Sequence, residues 1–344
     1  MVDTSASRPQ HWRTVLIALL TAGLFALFLR NVDLREAWAA TARSRPGWIL
    51  AAVGASLLTY LARSRRWQVL LAPVSAVSFR TSFRATVIGF AANLLLPARA
   101  GEFLRAYVVA RHEPVSAASV FATVVVERMI DLVTVLLLFA CAILFSGIDV
   151  GAAIEAAGWA AAGAAAVGLA VLFLAAGHPE RVGTVVDRLT ERLPARIGGL
   201  VSRLARTLTA GLAVMRSPWH FALAMLWSLP VWLAIAAGIA FTSWAFELPI
   251  SFVGSFLVVG YLTVGVTVPT PGAAGGFHYF YQLALTQFFD APESAAAAAA
   301  IVLHLVSFVP VTLLGLVFMG QDGLTLGQAR RVGADRPAAS STPS

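Results

Sequence analysis

Nine apolar runs, occupying roughly residues 14–29, 47–62, 85–97, 116–146, 157–176, 219–246, 251–269, 277–289 and 294–320, account for most of this chain. A helix crossing a bilayer needs about 20 apolar residues, within a range of roughly 17–25. Four runs meet that length comfortably, and 14–29 and 47–62 meet it when extended. The runs 85–97 and 277–289 do not. Only 12% of residues are charged while 59% are hydrophobic, against about 25% charged in a soluble domain. The expectation is an all-α polytopic membrane protein.

Basic residues orient the runs, because cytoplasmic loops are enriched in them. Segment 178–218 holds Arg181, Arg188, Arg192, Arg196, Arg203, Arg206 and Arg216, and the tail holds Arg330, Arg331 and Arg336. Segment 63–84 carries Arg63, Arg65, Arg66, Arg80 and Arg84 without an acid. All three are expected inside. Connections bearing Asp149 and Glu155, Glu247, and Asp290 and Glu293 lack Arg and fit outside. The loop 30–46, with Arg30, Arg35, Arg43 and Arg45, is the misfit.

The chain threads through these assignments only if 85–113 begins and ends inside and 251–289 begins and ends outside. Each is then a re-entrant hairpin bent at a Pro/Gly stretch. The expectation is about six full spans plus two such hairpins in the plasma membrane, with both termini cytoplasmic. The order span, span, hairpin, span occurs twice with opposite orientation, the pattern of an inverted repeat whose broken helices meet near the midplane. As domains, 1–13 is a cytoplasmic N-terminus, 14–320 a single transmembrane unit, and 321–344 a cytoplasmic tail. The tail is rich in Ala, Ser and Pro from Gly333 onward and is expected to be disordered.

Some classes fall away at once. All 25 basic residues are Arg, so no lysine chemistry operates here. The net charge of +8 is spread among loops, which suits anionic lipid headgroups better than nucleic acid. Cys141 is alone in an apolar run, so no internal disulfide forms. Arg8 and Arg13 before the first apolar run imitate a signal peptide. The small-residue site Ala37-Trp38-Ala39 lies beyond a charged stretch, however, so an uncleaved span is expected. In 178–218, apolar residues recur at a helical period from Val182 to Leu208, with Pro194 dividing them. That suits two basic amphipathic helices, lying on the anionic leaflet or capping the bundle.

Charge concentrates between Asn93 and Asp131, where Arg99, Glu102, Arg105, Arg111, Glu113, Glu127, Arg128 and Asp131 interrupt apolar sequence. A charge at the bilayer centre costs at least about 2.5–3.5 kcal/mol and marks function or an ion pair. Arg99, Glu102 and Arg105 share a helical face, so two guanidiniums are expected to flank one carboxylate. Arginine holds phosphate through paired N–H donors, which makes this set either a headgroup site at the Pro97 bend or a structural cluster. Arg128 and Asp131 pair at i,i+3, and Glu127 is left to meet Arg99 or Arg105; these three are candidates for gating or for structure. The second bend, Pro269-Thr270-Pro271-Gly272-Ala273-Ala274-Gly275-Gly276, cannot continue a helix. Its freed backbone groups must be buried in protein or line a wet cavity. The arm beyond it would turn its N-terminus toward a bound anion, with His278 as a titratable donor. Taken alone, His278 is more often a packing residue, and His304 more so. No catalytic constellation, metal-ligand spacing or phosphate loop is present, and no cofactor is called for.

The pattern Asn93-x3-Pro97-x-Arg99-x-Gly101-Glu102-x2-Arg105, then Glu127-Arg128-x2-Asp131, then Pro269-x-Pro271-Gly272-x2-Gly275 resembles the lysylphosphatidylglycerol synthase transmembrane family, also called flippase-like. Arg65-Arg66-Trp67-x2-Leu70-Leu71 is similar to a further feature of it. The resemblance runs from about residue 14 to 320. It implies movement of a phospholipid or polyprenyl-linked lipid between leaflets, with Arg66 and Asn93 joining Arg99, Glu102 and Arg105 at the substrate. Full synthases carry a soluble aminoacyl-transferase domain; this sequence ends without one, so lipid aminoacylation is not expected. Where the family's glycine turn leads into a Glu, this chain has His278, so any acid-dependent coupling step is altered. The alternatives are a membrane enzyme acting on a lipid-linked substrate, or a non-catalytic partner in envelope glycan synthesis.

Overall fold

The structure, a computed structural model, describes residues 11–96, 99–145, 147, 150–177, 188, 218–268, 270–325 and 327–329. Among them the regular structure is helical: α1 (His11–Leu29), α2 (Leu34–Arg43), α3 (Pro46–Leu71), α4 (Phe79–Leu95), α5 (Ala100–His112), α6 (Ala117–Phe145), α7 (Ala152–Gly177), α8 (Pro218–Ala245), α9 (Gly254–Thr267), α10 (Gly276–Phe289) and α11 (Glu293–Gln321). A 3-10 turn at Pro271–Ala273 joins α9 to α10. The amphipathic segment 178–218, except residues 188 and 218, the tail beyond 329, and the bend residues Pro97 and Pro269 lie outside the described residues.

Among the described residues, four helices are long and apolar enough to cross a membrane: α6, α8, α11 and the Ala152–Val171 part of α7. A fifth results if α1 and α2, bent by 74° to one another, form one span. Helix α2 occupies what the sequence presented as the loop 30–46. Asp33 starts it, its carboxylate accepting from the amides of Arg35 and Glu36. A larger departure concerns 63–84, expected as a cytoplasmic loop. Helix α3 continues through Arg63 and Arg66 to Leu71, and both arginines are buried. Hydropathy ends the span at Arg63 because it prices every charge as solvated. These two have carboxylate partners elsewhere in the fold.

Where the two hairpins are expected, α4 packs against α5 and α9 against α10. Each closes on a glycine pair. A Cβ on Gly101 would run into the carbonyl oxygen of Gly89, and one on Gly276 into that of Gly265. Only glycine lets two backbones approach so closely below a bend.

The packing maps onto itself when the two halves of the chain are exchanged. Helix α3 lies along α8; α11 packs on α4 as α6 packs on α9. Likewise α6 meets α7 as α11 meets α2, α5 meets α6 as α10 meets α11, and α3 meets α4 as α8 meets α9. Two cores follow that division. One gathers Trp67, Leu70, Ile88, Leu104 and Ile130, and the other Ile239, Val258, Tyr281, Leu285 and Leu303. The turn of the second hairpin touches α4 of the first, with Gly272 beside Leu94.

Candidate functional site

Helix α6 supplies the acids. Glu127 and Asp131 are one turn apart on its inward face, 0% and 8% exposed. Glu127 accepts from Arg105 Nη1 at 2.7 Å, from Arg66 Nη2 at 3.1 Å and from Arg128 Nη2 at 3.1 Å. Asp131 accepts from Arg66 Nη1 at 2.7 Å and pairs with Arg63 and Arg128 at 3.4 Å each. Glu102, on α5, lies 3.9 Å from Arg128 Nε and 4.0 Å from Arg99 Nη1. Eight side chains from α3, α5, α6 and the first bend thus form one connected ion network.

Aromatic and hydroxyl groups line it. Arg105 stacks over Trp67 with its guanidinium carbon 3.6 Å from the ring centre, and the Trp67 indole donates to Thr123 at 3.0 Å. Arg63 lies over Phe90 and Trp232, and Arg66 also donates to Ser228 of α8 at 3.0 Å. Cation–π contact and charge-assisted bonds offset the loss of hydration that burial imposes on these guanidiniums.

Charge in the network does not cancel. Arg63, Arg66, Arg99, Arg105 and Arg128 stand against Glu102, Glu127 and Asp131, five positive to three negative, an excess of two. The surplus is placed at the bend. Arg99 has a side chain 57% exposed, its one carboxylate contact is at 4.0 Å, and it starts α5 in the left-handed conformation (φ 54°, ψ 37°). A non-glycine residue held there costs about 1–3 kcal/mol and is found mostly at functional positions. On the same hairpin, Asn93 Oδ1 and Arg105 Nε and Nη2 are buried without hydrogen-bond partners.

The expected arginine–glutamate–arginine sandwich is corrected. Arg105 turns away from Glu102 to Glu127, and Arg128 takes its place beside Glu102. Spacing along α5 could show only which residues share a face; the stronger acceptor belongs to another helix. Glu127 meets Arg105, one of its two expected partners, and not Arg99. Arg66 is held through both terminal nitrogens by the two α6 acids and has 0% exposure, so it acts as a strut of the network. Gly101 serves the close approach of α4 and α5.

At the second bend Pro271 opens the 3-10 turn, and Gly272 (φ 62°) and Gly275 (φ 84°) take the left-handed backbone that glycine allows. The freed backbone groups are met by two histidines. His278 Nδ1 accepts the Gly275 amide at 3.3 Å, and His304 Nε2 lies 2.9 Å from the Gly272 carbonyl, to which it donates. The rings are 4.8 Å apart, among Phe25, Phe28, Phe277 and Phe308. His278 is the third residue of α10 and His304 the twelfth of α11; Glu102 and Arg128 are the third of α5 and the twelfth of α6. The exchange of halves therefore carries the histidine pair onto the Glu102–Arg128 pair, two imidazoles standing where a carboxylate and a guanidinium stand.

Missed in the sequence were Arg63, Trp67, Phe90, Ser228 and Trp232. Arg63 and Arg66 at i,i+3, with Trp67 and Leu70-Leu71 continuing the apolar face, were the available signal that α3 runs on. Nothing local pointed to Ser228.

These features define a class: a polytopic helical membrane protein in which two broken-helix hairpins converge beside a buried arginine–carboxylate network. Within that class the assignment is narrower. The model of the family described as the lysylphosphatidylglycerol synthase TM region matches residues 14–315, and the chain belongs to that family. It is also similar to glycosyltransferase AglD of Haloferax volcanii, 32% identical over 134 residues. That alignment takes in 37% of this chain and only 21% of the relative.

Proposed function

We propose that this protein is a lipid translocase that moves a phospholipid or polyprenyl-phosphate-linked lipid between leaflets, with acyl chains left in the bilayer. The observation that carries the reading is the network's uncompensated charge: two surplus positive charges, one of them on Arg99 at the first bend, exposed and weakly paired. An anionic headgroup supplies the missing negative charge and accepts the donors that Arg99 presents. Asn93 and Glu102 flank that position. Arg128 links Glu102 to Glu127 and Asp131, so capture at the bend can bias the packing of α5 against α6. A headgroup drives such a shift only by binding one arrangement better than the other.

The hairpin arms support re-entry. At about 1.5 Å per residue, α4, α9 and α10 are about 21–26 Å long, short of a hydrocarbon core of about 30 Å. In this reading the first hairpin enters from the cytoplasmic side of the cell membrane and the second from outside, and both termini are cytoplasmic.

The name of the Haloferax relative favours a second reading, a membrane enzyme or enzyme partner acting on a lipid-linked substrate. One experiment addresses both. Wild type, Arg99→Ala and Glu102→Gln are reconstituted in liposomes with labelled candidate lipids. A translocase exchanges lipid between leaflets without changing it, and both variants lose exchange. Exchange unaffected by either substitution sinks the headgroup site; a chemically altered lipid favours the enzyme.

A further inference from the structure

Helix α2 is tied at both ends to the termini of longer helices on one side of the bundle. Just before it, Asn31 Nδ2 donates to Glu293 at 3.2 Å and the Asp33 amide donates to Ser294 Oγ at 3.1 Å, at the start of α11. Just after it, the Arg45 amide donates to the Ala245 carbonyl at the end of α8 at 2.9 Å, and the Arg45 guanidinium meets Glu247 at 2.6 Å. Tyr60 donates to the Ser307 carbonyl at 3.3 Å. Each is the fifteenth residue of its helix, so α3 and α11 begin at the same depth. Helix α2, 10 residues and about 15 Å long, joins those two starts and therefore runs across the bundle. It turns 74° from α1 to do so.

The apolar arc of α2 is wider than the protein covers. At about 100° per residue, Ala40, Ala37, Thr41, Leu34, Trp38 and Ala42 succeed one another around one side, and Arg35, Ala39, Arg43 and Glu36 around the other. Ala37 and Ala40 pack on the second core. Leu34 and Trp38 continue the same arc but are 70% and 76% exposed. A separate feature marks the depth. Beside Arg45, Trp48 stacks on Phe241 and meets Trp244 edge-on, with ring centres 5.4 and 5.1 Å apart. The Trp244 indole donates to the Ile250 carbonyl at 2.8 Å. Tryptophans grouped in this way collect at the boundary between membrane and water.

We infer that α2 lies in the plane of the membrane boundary, with Leu34 and Trp38 seated among the upper acyl chains of one leaflet and Arg35 and Arg43 at its phosphates. An amphipathic helix takes this position when one arc is apolar and the other charged. Neither arginine forms an ion pair among the described residues, so both have donors for lipid. A second copy of the chain fits the edge less well, because two side chains supply far less than the roughly 800 Å² that each partner buries in a stable protein interface. The placement also gives the arginines of 30–46, which run against the bias of basic residues toward the cytoplasm, a reason to stay at a surface. That the leaflet is the outer one rests on the proposed topology; the depth of α2 does not, and neither depends on lipid movement.

The test uses the full chain with Cys141→Ser, reconstituted in phosphatidylcholine vesicles and carrying a nitrobenzoxadiazole label at Trp38→Cys, Leu34→Cys or Glu36→Cys. Its fluorescence is quenched in turn by lipids spin-labelled at the headgroup, near the top of the acyl chain or near the chain end, and by iodide in water. At Leu34→Cys and Trp38→Cys the label near the top of the chain should quench at least about twofold more than the one at the chain end, as a burial of about 5–10 Å requires. Iodide should act weakly there and strongly at Glu36→Cys. Leu34→Cys keeps Trp38, so the result does not hang on a variant that removes the larger anchor. Strongest quenching from the chain end would make α2 the second half of the α1 span and overturn the inference. Iodide quenching alike at all three positions, or protection of Leu34→Cys and Trp38→Cys from every quencher, overturns it too, the first by placing the edge in water and the second by placing it under protein.

Discussion

Glu127 and Arg99 are members of one network and should fail in opposite ways. Glu127 is completely buried and holds three guanidiniums. Glu127→Gln keeps its shape but leaves Arg105 with an uncompensated buried charge, since Arg66 still has Asp131, and breaking a buried pair costs about 3–5 kcal/mol. Thermal unfolding in detergent should show that loss directly. Arg99 is mostly exposed, at 4.0 Å from its partner, so its ion pair is worth little. Arg99→Gly also relieves the left-handed backbone. Stability should change by less than about 1 kcal/mol while leaflet exchange is lost. A large fall in unfolding temperature for Arg99→Gly would instead assign it to the scaffold. The sequence already marked both residues as charges in apolar surroundings. It could not tell the anchor from the free end, because that depends on which guanidiniums reach α6.

At the scale of elements, the two hairpins depend on backbone contact. Gly101→Ala and Gly276→Ala each push a methyl into the carbonyl of the facing arm, and overpacking of this kind costs about 1–3 kcal/mol. His304→Ala leaves the partly buried Gly272 carbonyl without its donor, a penalty of about 1 kcal/mol, the low end of the range for an unsatisfied group. Equilibrium unfolding of the three variants checks both figures. A variant as stable as wild type shows that the bend is open to water. The prolines and glycines of the second bend were legible as a break because their chemistry is local. The role of the histidines was not, since His304 lies 32 residues from the carbonyl it holds.

For the whole molecule, the exchange of halves in the packing makes a topological prediction. Cys141, the single cysteine, is first replaced by serine. Asp290→Cys should then react with a membrane-impermeant maleimide in intact cells, and Arg65→Cys only after permeabilisation. Gly272→Cys, at the second bend, should react poorly from either side. Labelling of Gly272→Cys as freely as Arg65→Cys, and from the same side, removes the re-entrant arrangement.

Composition and run length by themselves determined that this chain is a helical membrane protein with two interrupted hairpins, because hydrophobic length and Pro/Gly punctuation act within a few residues along the chain. They also located the charged stretch from Asn93 to Asp131. Only the tertiary structure decided what those charges do. Arg63 and Arg66 end a span by hydropathy, yet they continue α3 because acids on α6, more than sixty residues away, compensate them. Arg105 leaves its helical neighbour Glu102 for Glu127, and Arg99 keeps its surplus charge because its carboxylate neighbour among the described residues, Glu102, stays at 4.0 Å. Partner choice among buried ions is set by three-dimensional distance and desolvation, and neither is a property of spacing in sequence.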